Sequence, residues 1–337
     1  MSIGVETDLV MSGYKAHTQG FYLKTCQNFI KKRLKLYCMV DIAIAGSVAL
    51  DTVKTPFGEA KEVLGGAATY SSFAASFFAK PGIIAVVGED FPQEHLELLK
   101  NRGIDLSGIK KEGKTFRWKG SYGYDMNEAR TLKTELGSFE SFKPEVPEEY
   151  KKAKHVFLAN INPELQLQVL EQMSNPDIVM LDTMNLWIET KKQQLLEVIK
   201  KVDVLLLNDS EARELFKTPN LMKAANSALK LGAKHVIIKK GEHGALLFTD
   251  TSHFNAPGYP LEVVKDPTGC GDSFAGALIG YLAKTGNNSE SNLRKAIIYG
   301  SIVASFNAED FSLNRLKTLS SNEIESRYKA FEDIRRF

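Results

Sequence analysis

Short apolar runs recur along the chain, each separated from the next by a helix-length mixture of polar and apolar residues. Such runs predict buried strands, because both faces of a strand inside a parallel sheet are covered. The predicted strands are 40–45, 83–87, 155–159, 178–182, 204–207 and 236–239. Strands that alternate with helices indicate right-handed βαβ crossovers. The pattern therefore predicts an α/β fold with a mainly parallel central sheet flanked by helices.

The predicted helices are marked by glycines at their ends and by apolar faces. Gly65 and Gly66 precede a run of small residues at 67–79, and Gly103 follows a helix predicted at 91–101. Glycine is favoured at helix ends because it adopts backbone conformations that other residues avoid. Further helices are predicted at 210–216, 275–283 and 295–306.

The segment 114–136 interrupts this alternation. Its aromatic residues occupy only even positions: Phe116, Trp118, Tyr122 and Tyr124. An extended chain would place these four rings on one face, whereas the intervening Gly120 and Gly123 could bend the ribbon and change its register. Together with 52–64, the segment predicts a small antiparallel β-sheet that stands off the main domain as a lid.

Composition places the protein among ordinary globular chains. Of its 337 residues, 43% are hydrophobic and 25% are charged, which excludes collagen-like, low-complexity and wholly disordered classes. No uncharged apolar run approaches the length of about 18 residues that a membrane-spanning helix needs. The three cysteines, Cys26, Cys38 and Cys270, form no CxxC pair, which argues against a disulfide framework or a thiolate zinc site. A reducing cytoplasm is the expected location.

Charge is concentrated at the start of the chain. Residues 1–38 carry a net charge of +4, whereas the whole chain carries +2, so the remainder is nearly neutral. A nearly neutral body lacks the basic field that binds a phosphate backbone, which excludes nucleic acid as the main partner. We interpret 1–38 as a disordered or mis-started extension, because Met39 directly precedes the first predicted strand. A targeting sequence or a membrane-surface contact through 31–35 is the alternative interpretation.

The strongest chemical signal is the segment Asp266-Pro-Thr-Gly-Cys-Gly-Asp-Ser-Phe, which precedes an apolar-faced helix. Gly269 and Gly271 allow backbone N–H groups to converge at the helix start, which predicts an anion site. Asp272 in the first turn could accept a proton from an attacking hydroxyl. An N-capping Asp after a glycine turn is the structural alternative. The spacing matches neither a dinucleotide fingerprint nor a P-loop.

Four motifs in order resemble the ribokinase-like (PfkB) family of carbohydrate and nucleoside kinases. They are Gly65–Gly66, Asn208-Asp-Ser-Glu211, Lys239-Lys-Gly241-Glu-His-Gly244 and the segment that contains Gly269 to Asp272. The resemblance extends from Met39 to about Leu319. It implies a ribokinase-like fold in which 39–337 forms the kinase domain and 52–64 with 114–136 forms the lid.

The resemblance implies an ATP- and Mg²⁺-dependent kinase that phosphorylates a hydroxymethyl group of a sugar or nucleoside. The catalytic residues would be the base Asp272 and the backbone N–H groups of Gly269, Cys270 and Gly271. Those that bind substrate would be Asp51, Gly65 and Gly66. Those that bind ATP would be Asn208, Lys239, Gly241, Gly244 and Asn307, with Glu211 and Asn208 organising Mg²⁺ through water. The alternative is a non-catalytic sugar- or nucleotide-binding regulator on the same fold.

Several of these residues also have structural interpretations. Asn208 and Glu211 could simply begin a helix, and Asn307 could cap one. Lys239 could be a solvated surface charge. A thiolate nucleophile at Cys270 is disfavoured, because no nearby His supports it.

The sequence also departs from the family pattern. Cys270 replaces a common Ala, Pro267 replaces a Thr, and Ala49 and Tyr70 replace asparagines that sugar-specific members use on substrate hydroxyls. With the lid aromatics as a stacking surface for a base, these changes favour a ribonucleoside over a free sugar. The same aromatics are equally suited to a homodimer interface. The resemblance leaves a monovalent cation as a candidate cofactor.

Overall fold

Thirteen strands and eleven α-helices occur in the computed structural model of the protein, which describes residues 39–334 and 336. The expectations for 1–38 lie outside these described residues. In chain order the strands are β1 (Ile42–Ala45), β2 (Ala49–Thr55), β3 (Gly58–Gly65), β4 (Pro81–Val87), β5 (Asp105–Lys111), β6 (Phe116–Tyr122), β7 (Ala129–Glu135), β8 (His155–Leu158), β9 (Ile178–Leu181), β10 (Val204–Asn208), β11 (His235–Lys239), β12 (Ala245–Phe248) and β13 (His253–Ala256).

The larger sheet has the strand order β13-β12-β11-β10-β9-β8-β1-β4-β5 within the described residues. Every neighbouring pair from β11 to β5 is parallel, and the pairs β11–β12 and β12–β13 at one edge are antiparallel. The predicted mainly parallel sheet is confirmed. The pattern of apolar runs does not predict β5 or β13, because these edge strands carry more exposed and polar positions than the buried strands between them. β12 is apolar but only four residues long, and it was also missed.

The helices cover both faces of this sheet. They are α1 (Ala67–Ala75), α2 (Gln93–Asn101), α3 (Pro163–Glu171), α4 (Asn185–Thr190), α5 (Lys192–Ile199), α6 (Asp209–Phe216), α7 (Leu221–Leu231), α8 (Cys270–Thr285), α9 (Glu290–Asn307), α10 (Asn314–Thr318) and α11 (Ser321–Ile334). One apolar core joins α1, α8 and α9 to one face, and a second joins α3, α5, α6 and α7 to the other. Burial on both faces explains why the central strands are continuously apolar.

The lid is a four-stranded sheet with the order β3-β2-β6-β7. The predicted small sheet is confirmed: its outer pairs are antiparallel, and only its central pair, β2 and β6, is parallel. The chain passes through β4 and β5 of the large sheet between β2 and β6. A hairpin cannot connect two strands separated in this way, and a parallel pair needs such a crossover.

Three of the four lid aromatics, Phe116, Trp118 and Tyr122, lie in β6 and keep its two-residue alternation. β6 pairs with β2 in unbroken register from Phe116 to Ser121, and the irregularity in its pairing with β7 falls at Leu132 of β7. The Trp118 ring covers Gly120, where a Cβ would lie 2.1 Å from it. Tyr124 lies beyond the end of β6 and is 90% exposed, so the predicted row of four rings is limited to three.

The carboxyl ends of the parallel strands meet at one edge of the large sheet, where ligands bind in open α/β folds. None of the helices within residues 39–334 combines the length and the hydropathy that a transmembrane span requires.

Candidate active site

The predicted ATP-binding residues lie at the carboxyl edge of neighbouring parallel strands. Asn208 ends β10 and Lys239 ends β11, and the two residues are paired in register. Asp182 directly follows β9, the next strand in the sheet. The strand order thus brings together three residues that are 26 or more positions apart in the sequence.

The start of α8 presents an anion site. Gly269 precedes the helix in the left-handed conformation, with φ of 75°. The N–H groups of Gly271 and Asp272 have no hydrogen-bond acceptor in the described structure, as is usual in a first helical turn. The N–H of Cys270 donates to the carbonyl oxygen of Pro267 at 3.1 Å. Within α8 the available donors are therefore the N–H groups of Gly271 and Asp272, and the N–H of Gly269, just before the helix, also has no acceptor in the described structure. The Cys270 N–H is engaged by Pro267, and its contribution to the anion site stays a prediction.

Two buried side chains contact the glycine loop, residues 266–271, that precedes Asp272. A Cβ on Gly269 would lie 2.4 Å from atoms of the Tyr70 ring, so only glycine fits there. The Asn307 side chain, at the end of α9, donates to the carbonyl oxygen of Thr268 at 2.8 Å. Asn307 is fully buried, and Ala308 occupies the helix cap position. The amide of Asn307 therefore supports the glycine loop and is not the helix cap, and its contact with adenine stays a prediction.

Asp272 has the electrostatic properties of a general base. Burial raises the pKa of its carboxyl group to about 7, and the negative charge of Asp182 adds to this effect while Lys239 opposes it. A carboxylate whose pKa is near the working pH accepts a proton far better than an ordinary Asp. Burial also raises the pKa of the Cys270 thiol to about 12, so this thiol is not a thiolate nucleophile at neutral pH.

Asp182 is a site residue that the sequence analysis missed. Its Oδ2 accepts a hydrogen bond from Lys239 Nζ at 2.6 Å in a buried ion pair. Lys239 is therefore not a solvated surface charge. The sequence did contain a signal for Asp182, because a carboxylate that directly follows a buried apolar strand is costly unless it is paired.

Asn208 and Glu211 form a reciprocal cap at the start of α6. Asn208 Oδ1 accepts from the Glu211 N–H, and Glu211 Oε2 accepts from the Asn208 N–H, both at 2.7 Å. Burial raises the pKa of Glu211 to about 8, opposed by the positive charge of Lys239. The helix-start interpretation of these residues is confirmed. It is compatible with a site role, since Glu211 Oε1 accepts no hydrogen bond in the described structure.

The acceptor side of the site is built from β2 and the start of α1. Asp51 Oδ2 accepts from the Gly66 N–H at 3.3 Å, and a Cβ on Gly65 would lie 1.9 Å from the same oxygen. The glycine pair thus lets the backbone approach the buried carboxylate of Asp51, and the predicted binding of substrate by Asp51, Gly65 and Gly66 stays a prediction. Close by, the Tyr70 hydroxyl has no hydrogen-bond partner in the described structure, although Tyr70 is only 1% exposed.

The lid contacts both sides of this site. The Tyr122 hydroxyl lies 3.3 Å from Thr268 Oγ1 in the glycine loop. At the tip between β6 and β7, Asn127 packs so closely on Gly241 that a Cβ there would lie 2.2 Å from Asn127 Oδ1. Gly241 and Gly244 both have positive φ in the turn that follows β11, and a Cβ on Gly244 would lie 2.1 Å from the Ala256 carbonyl oxygen. The turn therefore requires both glycines.

We expect Asp51→Asn to stabilise the ligand-free protein increasingly as the pH rises. Burial raises the pKa of Asp51 to about 7, above the value of about 3.9 expected for the unfolded chain. The stabilising contribution of Asp51 is therefore complete below pH 4 and is lost as the pH rises to 7. The free energy of unfolding of Asp51→Asn should exceed that of the parent by up to about 4 kcal/mol at pH 8. Urea titrations of both proteins at pH 5 and pH 8 measure the difference in their free energies of unfolding. A difference of the same size at both pH values would contradict this prediction.

Comparisons with known proteins agree with this geometry. The sequence model described as "pfkB family carbohydrate kinase" matches residues 38–318. A cytidine kinase of Thermococcus kodakarensis is 33% identical over 251 residues, which cover 72% of this chain and 89% of that kinase.

Two solved structures have a similar backbone. The nucleoside kinase of Burkholderia thailandensis, in complex with inosine, aligns with a TM-score of 0.69 at 19% identity over 86% of this chain and 96% of its own. An Escherichia coli protein assigned as ribokinase II, in complex with ATP and Mg²⁺, aligns with a TM-score of 0.69 at 17% identity over 87% of this chain and 100% of its own. These likenesses confirm the predicted ribokinase-like fold.

Proposed function

Because the chain belongs to the pfkB family of carbohydrate kinases and is a sugar or nucleoside kinase, we propose that it transfers the γ-phosphoryl group of ATP to the hydroxymethyl group of a ribonucleoside. One observation carries this proposal: the half-buried carboxylate of Asp272 lies in the same helical turn as the unpaired N–H groups of Gly271 and Asp272. A base and an anion site side by side match the needs of phosphoryl transfer to a hydroxyl.

Each residue has a defined task in this reaction. Asp272 accepts the proton of the hydroxymethyl group as its oxygen attacks the γ-phosphorus. The N–H groups of Gly271 and Asp272 and the ammonium group of Lys239 stabilise the charge on the transferred group. The turn that contains Gly241 and Gly244 binds the remaining phosphates through its backbone. Catalysis of this kind consists mainly of positioning and electrostatic stabilisation.

The residues present fit a magnesium ion bound mostly by ATP and water. No cluster of three or more His, Cys, Asp or Glu side chains suited to a metal occurs in the described part of the chain. Mg²⁺ characteristically keeps several waters and uses one or two carboxylates with substrate phosphates. Glu211 Oε1 would bind it through water, with Asn208 beside it. When bound, the ion neutralises charge on the ATP oxygens.

Glu211→Gln is expected to raise the Mg²⁺ concentration needed for half-maximal rate severalfold, because it removes one negative charge near the ion's water shell. Glutamine can still accept from the Asn208 N–H, so the cap of α6 should survive. Rates measured against Mg²⁺ test this expectation. The matched control is Glu323→Gln, because Glu323 forms a similar reciprocal cap with Ser320 at the start of α11. Superimposable curves for Glu211→Gln and the parent would leave Glu211 as a capping residue only.

Two observations support a ribonucleoside as acceptor. The buried carboxylate of Asp51 suits the vicinal hydroxyls of a ribose, while Ala49 and Tyr70 stand where the family resemblance implies asparagines in sugar-specific members. The relatives include a cytidine kinase and a nucleoside kinase that binds inosine. The hydroxyl of Tyr70, which has no partner among the described residues, offers a further hydrogen bond to the acceptor.

Stacking of a base on the lid no longer supports this choice. Phe116 packs on Phe139, Trp118 donates to Thr131 Oγ1, and Tyr124 is solvent-exposed. Of the four lid aromatics, only Tyr122 reaches the glycine loop within the described structure. The preference for a nucleoside therefore depends on the acceptor pocket and on the relatives.

The test is to compare kcat/KM for cytidine, adenosine and inosine with kcat/KM for ribose and fructose at equal ATP and Mg²⁺. At least one nucleoside should exceed both free sugars tenfold. A tenfold preference for ribose or fructose would contradict the nucleoside assignment but not the phosphotransfer. If none of these acceptors supports ATP consumption, the result would favour the non-catalytic regulator.

Other features of the protein belong to the same proposal. We propose that 39–337 contains the whole kinase domain. We also propose that the protein acts in a reducing cytoplasm. It does so as a homodimer formed through the lid. The exposed apolar residues of the lid support the dimer: Phe57, Tyr124, Leu132 and Leu136. Light scattering would measure the oligomeric state. Dependence on a monovalent cation is proposed from the family resemblance, and rates in K⁺ and Na⁺ buffers would test it.

A further inference from the structure

A buried ion pair lies directly beside the anion site. Lys239 Nζ and Asp182 Oδ2 are 2.6 Å apart, and their side chains are only 17% and 4% exposed. Removing two charges from water costs several kcal/mol per ion, so such a pair contributes little net stability compared with an apolar pair. Its presence at this position therefore calls for a role other than stabilising the fold.

The ammonium group is directed at the loop that would receive the phosphoryl group. A Cβ on Gly271 would lie 3.3 Å from Lys239 Nζ, so the ammonium lies next to this residue. The N–H of Gly271 is one of the two unpaired donors at the start of α8. A lysine side chain has a flexible four-carbon stem, and it holds such a position only when a partner fixes it.

Asp182 is itself firmly held. Its Oδ1 accepts from the Thr183 N–H at 3.0 Å, and its carbonyl oxygen accepts from Gln166 Nε2 at 3.0 Å. Gln166 is fully buried, and the same Nε2 also lies 2.9 Å from the Ala159 carbonyl oxygen. The amide thus ties the ends of β8 and β9 together. The main chain of Asp182 is thus anchored by Gln166, and its carboxylate is oriented by the Thr183 N–H as well as by Lys239.

We propose that Asp182 is a positioning residue for the phosphate donor, which holds the Lys239 ammonium group beside Gly271 so that it meets the transferred phosphoryl group. The inference rests on the proposed role of Lys239 in binding ATP. Asp182 acts through Lys239 and does not itself contact the nucleotide.

A double-mutant cycle tests this dependence. Asp182→Asn and Lys239→Met should each raise KM for ATP about tenfold or more, and leave KM for the nucleoside within about twofold. Because Asp182 acts through Lys239, the double variant should be no worse than Lys239→Met alone. The matched control is Asp177→Asn, which removes an exposed Asp–Lys pair with Lys154 at the opposite end of β9. It should leave both KM values unchanged.

Several outcomes would overturn the inference. The first is an unchanged or lower KM for ATP in Asp182→Asn. The second is a rise in KM for ATP in the double variant that equals the product of the two single rises. The third is a changed Mg²⁺ requirement with KM for ATP unaltered. If Lys239→Met leaves KM for ATP unchanged, the donor role of Lys239 fails. If KM for ATP rises in Lys239→Met but not in Asp182→Asn, only the positioning role of Asp182 is refuted.

Removing one partner of a buried pair can impair folding. Should thermal melts show that Asp182→Asn is unfolded, Asp182→Glu replaces it in the cycle, since it keeps the charge and shifts the carboxylate by one methylene. This variant should also raise KM for ATP, and an unchanged value would again overturn the inference.

Discussion

Replacing Asp272 with Asn is expected to lower kcat by at least about 10²–10⁴-fold while KM for ATP stays within about twofold. Asparagine has nearly the same shape but cannot accept the proton of the attacking hydroxyl. The N–H groups of Gly271 and of residue 272 remain in place, so the anion site persists. Steady-state rates and ATP titrations on the purified variant measure the two effects separately.

The pH profile of the parent enzyme provides an independent check. Because burial raises the pKa of Asp272 to about 7, kcat/KM should fall about tenfold per pH unit below that value. The control for Asp272→Asn is Glu164→Gln, which removes a half-exposed carboxylate from the first turn of another helix, α3, where it pairs with Lys191. Near-parental turnover in Asp272→Asn would end the assignment of Asp272 as the base.

Gly269→Ala is expected to reduce kcat by about 10²–10³-fold, the loss typical of displacing one donor of an anion hole. The added Cβ would lie 2.4 Å from the Tyr70 ring, and φ of 75° is unfavourable for alanine. The loop must therefore shift, and it carries the N–H groups that face the phosphoryl group. Initial rates at saturating ATP and acceptor measure the effect.

Gly286→Ala provides a matched control at the other end of the same helix. Gly286 follows α8 with φ of 59°, and a Cβ there meets no atom within 4 Å. Both variants incur the backbone strain of about 1–2 kcal/mol, but only Gly269→Ala also clashes. Gly286→Ala should thus lower the melting temperature slightly and keep full activity. Equal activity losses in the two variants would show that strain, not displacement of the anion site, is responsible.

The central sheet could be predicted from the sequence because its strands are covered on both faces. Continuous apolar runs such as 204–207 leave little choice of structure, and the polar residues that follow them must meet at the carboxyl edge. The four site motifs could also be identified, because each lies at the end of a predicted strand or at the start of a predicted helix. Asp182 has the same position after a strand, but it belongs to none of the motifs and was missed.

Other features depend on contacts that no local pattern records. Tyr124 lies beyond the end of β6, away from the other lid aromatics, and the hydrogen bond from the Cys270 N–H to Pro267 occupies one donor of the glycine loop. The family resemblance implies a nucleotide contact for Asn307. Its burial against Thr268 arises from the packing of α8 on α9, which sequence spacing cannot show.

The two contacts of the lid have a thermodynamic consequence. Tyr122 contacts Thr268 in the glycine loop, and Asn127 contacts the turn that contains Gly241, so the hairpin β6–β7 contacts both the loop that precedes Asp272 and the proposed nucleotide turn. A ligand that stabilises either contact makes the other easier to form. The coupling must then be reciprocal: by whatever factor the acceptor tightens the binding of ATP, ATP tightens the binding of the acceptor by the same factor.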